Sequence, residues 1–402
     1  MNSTTEPASR RPLPAHLQAL IGQGVDAVDT PALVVDLDAM ERNLTRMAEF
    51  AAKHQIRWRP HAKMHKSAGL ARLQMQAGAV GVCVQKTAEA EAMVAGGVPN
   101  VYISNEVIAP AKLARVAALA LELAGKGGQL SLAVDSLLGV ERLAAAVKAV
   151  SPGRTPRALV DVYVEIDVGH GRCGIAPGAP AVALAQAVAT EPLLRFAGLQ
   201  AYHGKAQHLR TVQERRAAIA AVVERVQATR AALESTGLSV DLVTGAGTGT
   251  FLLETASGVY GELQAGSFLF MDADYARNEA DPAQPRFEHA LFLKSQVMSL
   301  GATHAVCDAG HKSHAIDSGL PLVHGLGGDS GLDYFNGGDE HGVLRTRTPG
   351  APLPALGDTV WLIPGHCDPT VNLHNHLIGV RGGLHHGTVE RIIRVDARGA
   401  LT

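Results

Sequence analysis

Aromatic side chains are scarce in this chain, 4% of 402 residues, and cysteine is scarcer, with four copies. A core with so few rings must be filled by aliphatic and small residues. Alanine does much of that work, which favours helix-rich α/β packing. Cys83, Cys173, Cys307 and Cys367 form no CxxC pair and read as buried small residues. Nothing in them calls for an oxidising compartment. No run approaches the roughly 18 apolar residues of a membrane span. Residues 1–24 are polar and proline-containing, without the apolar centre of a secretory signal, so a cytoplasmic location is expected. Excess charge is also missing: the net charge is −2, which gives no electrostatic case for nucleic acid or a membrane surface as partner.

What is present describes a compact, soluble, multi-domain protein, with 47% hydrophobic residues and 43 glycines. From residue 31, strand-like and helix-like segments alternate. The strand candidates are Pro31–Leu37, Arg57–Lys63, Ala79–Gln85, Val101–Asn105, Leu130–Asp135, Val162–Val168, Phe196–His203 and Leu242–Gly245. Helical patterns lie between them at Asp38–His54, Lys86–Ala95, Pro110–Ala124, Leu137–Ala149, Pro180–Thr190 and Arg210–Ser235. Such alternation predicts a (β/α)8 barrel of the TIM type. An open doubly wound sheet is disfavoured because no GxGxxG follows the first strand. From Phe287 onward, Ala290–Val297, His304–Asp308, Thr359–Ile363, Leu377–Arg381 and Glu390–Val395 are separated by turn residues, which predicts a mostly β domain. The division expected is an extension at 1–28, a barrel at 29–275 and a β domain at 276–402. Asp272–Pro285 reads as the connector.

Chemistry is expected at the C-terminal ends of the barrel strands. Read as a strand end, Arg57 to Lys66 puts Trp58, Pro60, Ala62 and Met64 on one face and Arg57, Arg59, His61, Lys63 and His65 on the other. A cationic row facing inward requires an anionic guest. A lysine among other cations has a depressed pKa and can form a Schiff base, so Lys63, with His61 beside it, suggests a pyridoxal phosphate site. Lys66, the rival amine, is expected to point to solvent. Gln85, Arg172, Tyr202 and His208 end or follow other strands, and their convergence favours a site over a packed plug. Thr244 to Thr250, rich in glycine and threonine, can approach a phosphate closely, with Gly247 and Thr248 at its centre. A second glycine turn, Tyr260 to Ser267, could complete that cradle through Gly266 and Ser267. In the C-terminal region His366 and Asp368, two apart in an extended segment, can share a divalent ion such as Mn2+, Mg2+ or Zn2+. By the same parity Cys367 points away. The Asp308 to Lys312 and Asp339 to Gly342 clusters are candidates for substrate contact.

With these residues assembled, the chain resembles fold-type III pyridoxal phosphate enzymes of the D-threonine aldolase and D-serine dehydratase family. The resemblance runs from Thr30 nearly to the C-terminus. It rests on Thr30-Pro31-Ala32-Leu33, Arg59-Pro60-His61-Ala62-Lys63, Val82 to Lys86, Ser104 to Val107, Gly171-Arg172-Cys173-Gly174, Gly198 to Gly204, Gly247-Thr248-Gly249, Leu263 to Ser267, Asp339 to Gly342 and Pro364 to Thr370. It implies an alanine racemase-like barrel whose Lys63 bonds the cofactor, with Arg172 by the ring and Gln85 and Tyr202 lining it. It further implies a phosphate region at Thr244, Gly247, Thr248, Gly266 and Ser267, a metal at His366 and Asp368, and His208 as base for the substrate hydroxyl. Members are usually homodimers in which the partner's β domain closes the site. One departure is Gly245-Ala246-Gly247, where aldolases carry three glycines. His311 and His314 match no family role.

The activity so implied is retro-aldol cleavage of a D-β-hydroxy-α-amino acid, such as D-threonine or D-phenylserine, to glycine and an aldehyde. The alternatives are 3-hydroxy-D-aspartate, whose cleavage gives glyoxylate, then D-serine dehydration. For the former, Lys205, Lys312, Arg277 or His311 could meet the second carboxylate. The dehydratase pattern pairs His with Cys two residues on, whereas this chain has Asp368 there, which favours a harder ion. A pyridoxal phosphate carrier is the non-enzyme alternative. Such a protein needs neither a second domain nor a metal pair.

Overall fold

Local signals at helix starts explain most of the helical layer in this computed structural model, which describes residues 12–151, 158–325 and 328–402. Asp36 accepts the Ala39 amide hydrogen at 3.1 Å to begin the Leu37–Lys53 helix. Ser136 caps Leu137–Ala149, and Thr211 with Glu214 forms a capping box at Val212–Ser235. The buried faces of the latter two helices join a core with Val82, Val101, Ile103, Leu130, Val162 and Val164 of a parallel sheet, whereas Leu37–Lys53 packs into a second core with Trp58, Phe251 and Phe268.

That sheet has eight strands, in the order Arg57–Trp58, Glu262–Leu263, Val243–Gly245, Leu194–Ala201, Val160–Glu165, Gln129–Val134, Asn100–Glu106 and Val82–Val84. The Trp58 and Pro60 carbonyls accept the Val80 and Cys83 amide hydrogens, both at 3.0 Å, which joins the two ends into a barrel. Inside, Cys83, Tyr102, Ala133, Tyr163, Ala197 and Leu242 form an apolar plug. A buried polar network adjoins it. Tyr102 donates to Gln200 Oε1 at 2.9 Å, Gln264 links Gln200 to Thr244, and Thr244 donates to Glu262 at 3.0 Å.

Several strand assignments differ from expectation. Ala32–Asp36 is not the first barrel strand; it pairs antiparallel with Leu291–Leu300 and parallel with His376–Arg381 in a second sheet. Its segment is apolar on both faces, Leu33 and Val35 joining one core and Val34 another, so its local pattern suits either sheet. Glu262–Leu263, expected within a turn, supplies the eighth barrel strand. The Arg57–Lys63 strand is also cut short. Pro60 offers no amide donor, and Ala62–Met64 winds into a 3-10 turn.

The second sheet runs Gly328–Asp329, Leu322–Gly325, Thr359–Ile363, Leu291–Leu300, Ala32–Asp36, His376–Arg381 and Thr388–Arg394. Ala305–Cys307, Gly342–Thr346 and Leu332–Asn336 extend from its longest strand. Residues 12–28 pack on this sheet: buried Lys294 donates to the carbonyls of Val25, Asp26 and Val28. Residues 1–11 of the expected extension lie outside the described residues. No helix among the described residues is long and apolar enough to cross a membrane.

Candidate active site

A cavity of about 300 Å3 opens where the barrel strands end, and the Cys367–Val371 turn of the second domain forms part of its wall. Lys63 enters it from the 3-10 turn after the shortened strand. The turn is set by His61, whose Nδ1 accepts the Lys63 amide hydrogen at 3.3 Å. His61 Nε2 lies 2.8 Å from Gln85 Nε2, and Gln85 also donates to the Ser104 carbonyl at 3.2 Å. Burial, aided by the charge of Lys63, pushes His61 well below its usual pKa, so its ring is neutral at the cavity wall.

The cationic row is resolved differently from expectation. Arg59 and Arg57 both reach buried Glu262, at 3.0 Å each, so they need no guest. His65 is turned away to Gln74 at 3.2 Å, and burial lowers it to about 4. Lys66 does not reach solvent; it is buried and paired with Glu89. Lys63 is the lysine of this stretch that faces the cavity. Its pKa is raised rather than depressed, because the Asp368 carboxylate 3.1 Å from Nζ outweighs burial. The expected repulsion among cations is absent because their countercharges fold in beside them.

Arg172 lies over the Tyr202 ring, 5.8 Å from its centroid, with Glu165 at 4.0 Å. Burial, then Glu106 beside it, raises Glu165 to about 9, so this acid is largely protonated at neutral pH. Gly247, Thr248, Gly266 and Ser267 line the cavity. Among the described residues their backbone amides find no acceptor, which leaves four donors for an anion. A Cβ on Gly266 would meet the His61 carbonyl at 2.6 Å, so glycine is required there. Thr244 is not part of this wall. Its hydroxyl is committed to Glu262 and Gln264 inside the barrel. Ala246 adopts φ +70°, a left-handed backbone that a glycine would take without strain, and its methyl is buried.

His366 and Asp368 do not lie in an extended segment. His366 immediately precedes the Cys367–Val371 helical turn, which tolerates Pro369 because first-turn amides need no intrahelical acceptor. The side chains still converge, His366 Nε2 lying 3.8 Å from Asp368 Oδ1. Asp317 Oδ2, 2.8 Å from His366 Nδ1, holds that nitrogen as donor and leaves Nε2 as a lone pair. Asp368 Oδ1 is buried without a hydrogen-bond partner. An imidazole nitrogen and an orphaned carboxylate oxygen facing each other suit a divalent cation completed by water or substrate. Among the described residues no group of three or more His, Cys, Asp or Glu side chains is arranged to hold a metal ion, so this pair is not part of a fuller ligand set. Cys367 is fully buried, its thiol on the Met271 carbonyl at 3.2 Å.

His208 reaches the cavity from the Gly204–His208 turn. Its Nδ1 lies 2.6 Å from Asp274 Oδ2, which assigns the proton to Nδ1 and leaves Nε2 as acceptor. Asp274 and Tyr275 sit in the segment expected to be a mere connector. The signal available was Asp272, which caps the Ala273–Ala276 turn and also accepts the Cys367 amide hydrogen at 3.1 Å. His170 and Lys205 line the mouth as well. The Asp308 and Asp339 clusters do not. His311 pairs with Asp339 at 2.8 Å, Lys312 with Glu340 at 2.8 Å, and His314 is buried on Tyr334.

A parallel barrel with a mostly-strand second domain beside its mouth is the alanine racemase-like architecture of the fold-type III pyridoxal phosphate enzyme family. The chain matches the family "Alanine racemase, N-terminal domain" over residues 35–274 and a serine dehydratase domain over residues 290–380. It is 44% identical over 380 residues to a D-threonine aldolase of Arthrobacter sp, covering 94% of this chain and 95% of that protein. It is 41% identical over 389 residues to a 3-hydroxy-D-aspartate aldolase of Paracoccus denitrificans (strain Pd 1222), covering 95% of both. The crystal structure of D-threonine aldolase from Filomicrobium marinum superposes with a TM-score of 0.88 at 47% identity, covering 95% of this chain and 99% of that one. The protein therefore belongs to the D-threonine aldolase and 3-hydroxy-D-aspartate aldolase family of aldehyde-lyases.

Proposed function

We propose that the protein cleaves D-β-hydroxy-α-amino acids of the D-threonine and D-phenylserine type to glycine and an aldehyde. The observation that carries this reading is the meeting of Lys63 with the His366 and Asp368 pair in one cavity. Bound there, pyridoxal phosphate supplies the electron sink for breaking a bond at Cα, and Mn2+ or Mg2+, with Zn2+ the softer alternative, supplies a Lewis acid for the β-hydroxyl.

Lys63 is the amine for the cofactor carbonyl. The free amides of Gly247, Thr248, Gly266 and Ser267 receive its phosphate, while Arg172, Gln85, His61 and Tyr202 flank the ring. His366 and Asp368 hold the metal. His208 Nε2 takes the hydroxyl proton as the Cα–Cβ bond breaks, and Asp274 stabilises the imidazolium that forms. The aldehyde leaves with the oxygen, and protonation at Cα gives glycine.

A second reading, 3-hydroxy-D-aspartate as substrate, is favoured by Lys205. It lines the mouth and forms no ion pair among the described residues, so it is available to a second carboxylate. Product analysis with D-threonine, D-β-hydroxyaspartate and D-serine separates the readings. Glycine with acetaldehyde supports the first and glycine with glyoxylate the second. Pyruvate and ammonia from D-serine as the dominant products would overturn both.

The four unpaired cysteines support a cytoplasmic location. A homodimer is also proposed. Ile108, in the loop after Asn100–Glu106, and Leu137 and Leu138, at the start of the Leu137–Ala149 helix, are 36%, 54% and 48% exposed, an apolar surface that a second copy would cover. Light scattering should then give twice the 42.0 kDa chain mass, and a monomer would refute it.

A further inference from the structure

Behind the phosphate turn lies a row of buried polar groups that the proposed reaction does not use. Gln207, fully buried, occupies the same 3-10 turn as His208. Its Oε1 accepts the Gly249 amide hydrogen at 2.9 Å, and its Nε2 donates to Thr250 Oγ1 at 2.8 Å. Thr250 Oγ1 in turn donates to Glu254 Oε1 at 2.7 Å. Glu254 is 2% exposed, and its other oxygen, Oε2, is buried with no hydrogen-bond partner. The contact is tight. A Cβ on Gly247 would come within 2.4 Å of Gln207 Oε1, and one on Gly249 within 3.0 Å of the Gln207 carbonyl. Any shift of the Gln207 amide therefore moves the turn.

We propose that Gln207, Thr250 and Glu254 form a positioning relay that locks the phosphate turn and the His208 turn into one unit. Its Glu254 end, with Oε2 unpartnered, is the neutral acid when the turn is loaded. The proposal rests on the pyridoxal phosphate reading. The titratable groups facing Glu254 are Tyr260 and Tyr202, whose hydroxyls are pushed upward chiefly by burial, with the Glu254 carboxylate a smaller contribution. No cation of the described residues offsets its burial, which pushes it up to about 7. A phosphate dianion arriving at the turn favours the protonated acid further. Cofactor binding therefore takes up a proton here. Affinity is greatest below about pH 7 and declines as pH rises through that value.

The test titrates the full-length apoenzyme with pyridoxal phosphate and with pyridoxal, followed by visible absorbance from about pH 6 to about pH 9. Gln207→Ala and Glu254→Ala should weaken pyridoxal phosphate about tenfold, as loss of one buried hydrogen bond implies, and leave pyridoxal unchanged. Glu254→Gln keeps a neutral group of the same shape. It should retain the wild-type affinity at low pH and lose the decline above neutrality. Saturated Gln207→Ala should lose kcat more than it gains KM, because His208 moves with the turn. Equal weakening of both ligands would mean a merely structural role and overturn the relay. A Glu254→Gln pH profile like the wild type's would overturn the neutral acid. A wild type that stays colourless with pyridoxal phosphate would refute the cofactor reading instead.

Discussion

His208 depends on Asp274, 66 positions further along the chain, for its tautomer. Arg210 fixes that carboxylate in turn, so Asp274 stays below its usual pKa although burial pushes it upward. His208→Ala should leave cofactor colour intact and lower kcat by about 10²–10⁴-fold, the usual worth of a positioned base. Steady-state kinetics with D-threonine check it, and an unchanged kcat would remove His208 from the reaction. Asp368 carries a separate prediction. Its Oδ1 is buried without a hydrogen-bond partner, and on the proposed metal reading Asp368→Ala should stay yellow yet gain nothing from Mn2+ or Mg2+ after chelation, whereas the wild type recovers. Both histidine and aspartate could be picked out as chemistry-bearing residues from sequence, because motif spacing is local. The partners Asp274 and Asp317 could not, since neither belongs to a motif and each is brought in by a distant turn.

Among the elements, the barrel strand Glu262–Leu263 was the hardest to foresee. Only two residues long and lying between Gly261 and Gln264, it has too little alternation to register as a strand. Yet Glu262 neutralises Arg59 and Arg57 and accepts from Thr244. Removing it leaves the buried Arg59 guanidinium with only Asn100 as polar side-chain partner. Glu262→Ala should cost about 3–5 kcal/mol, the range for an orphaned buried charge, and Glu262→Gln less. Urea unfolding measures both, and a change below about 1 kcal/mol would contradict the network's role. Helices fared better. Leu137–Ala149 and Pro110–Gly125 have the starts that their serine and proline signals predict, because caps act within one turn. The strands Leu322–Gly325, Leu332–Asn336 and Gly342–Thr346 escaped notice, being short and largely half-exposed, with weak patterns.

Across the whole molecule, Arg381 ties the barrel layer to the second sheet. It reaches Asp38 at 2.8 Å and Glu41 at 2.7 Å on the Leu37–Lys53 helix, and Glu390 at 2.8 Å on the neighbouring strand. Hydrogen bonds from Arg381, then Arg391, hold Glu390 down at about 2 against its ordinary 4.5. A depressed folded pKa contributes stability above the ordinary value that is lost as pH falls through the folded one. The wild type's thermal midpoint should thus drop between about pH 4.5 and about pH 2, and Arg381→Ala should start lower and drop less. Parallel curves for the two proteins would dissociate the clamp from acid stability. The pair is partly exposed, so solvent screening keeps the effect modest.

By itself the sequence determined the alternation of strands and helices, the glycine turns and the residue types able to bind a carbonyl, a phosphate and a metal. All of these depend on neighbours a few positions apart. Tertiary structure alone decided that Ala32–Asp36 joins the second sheet, that Arg57 and Arg59 are answered by Glu262, and that Asp368 comes within 3.1 Å of Lys63. Each is a pairing between segments far apart in the chain. It is selected by which surfaces the folded protein leaves to be buried together, and no local pattern encodes that choice.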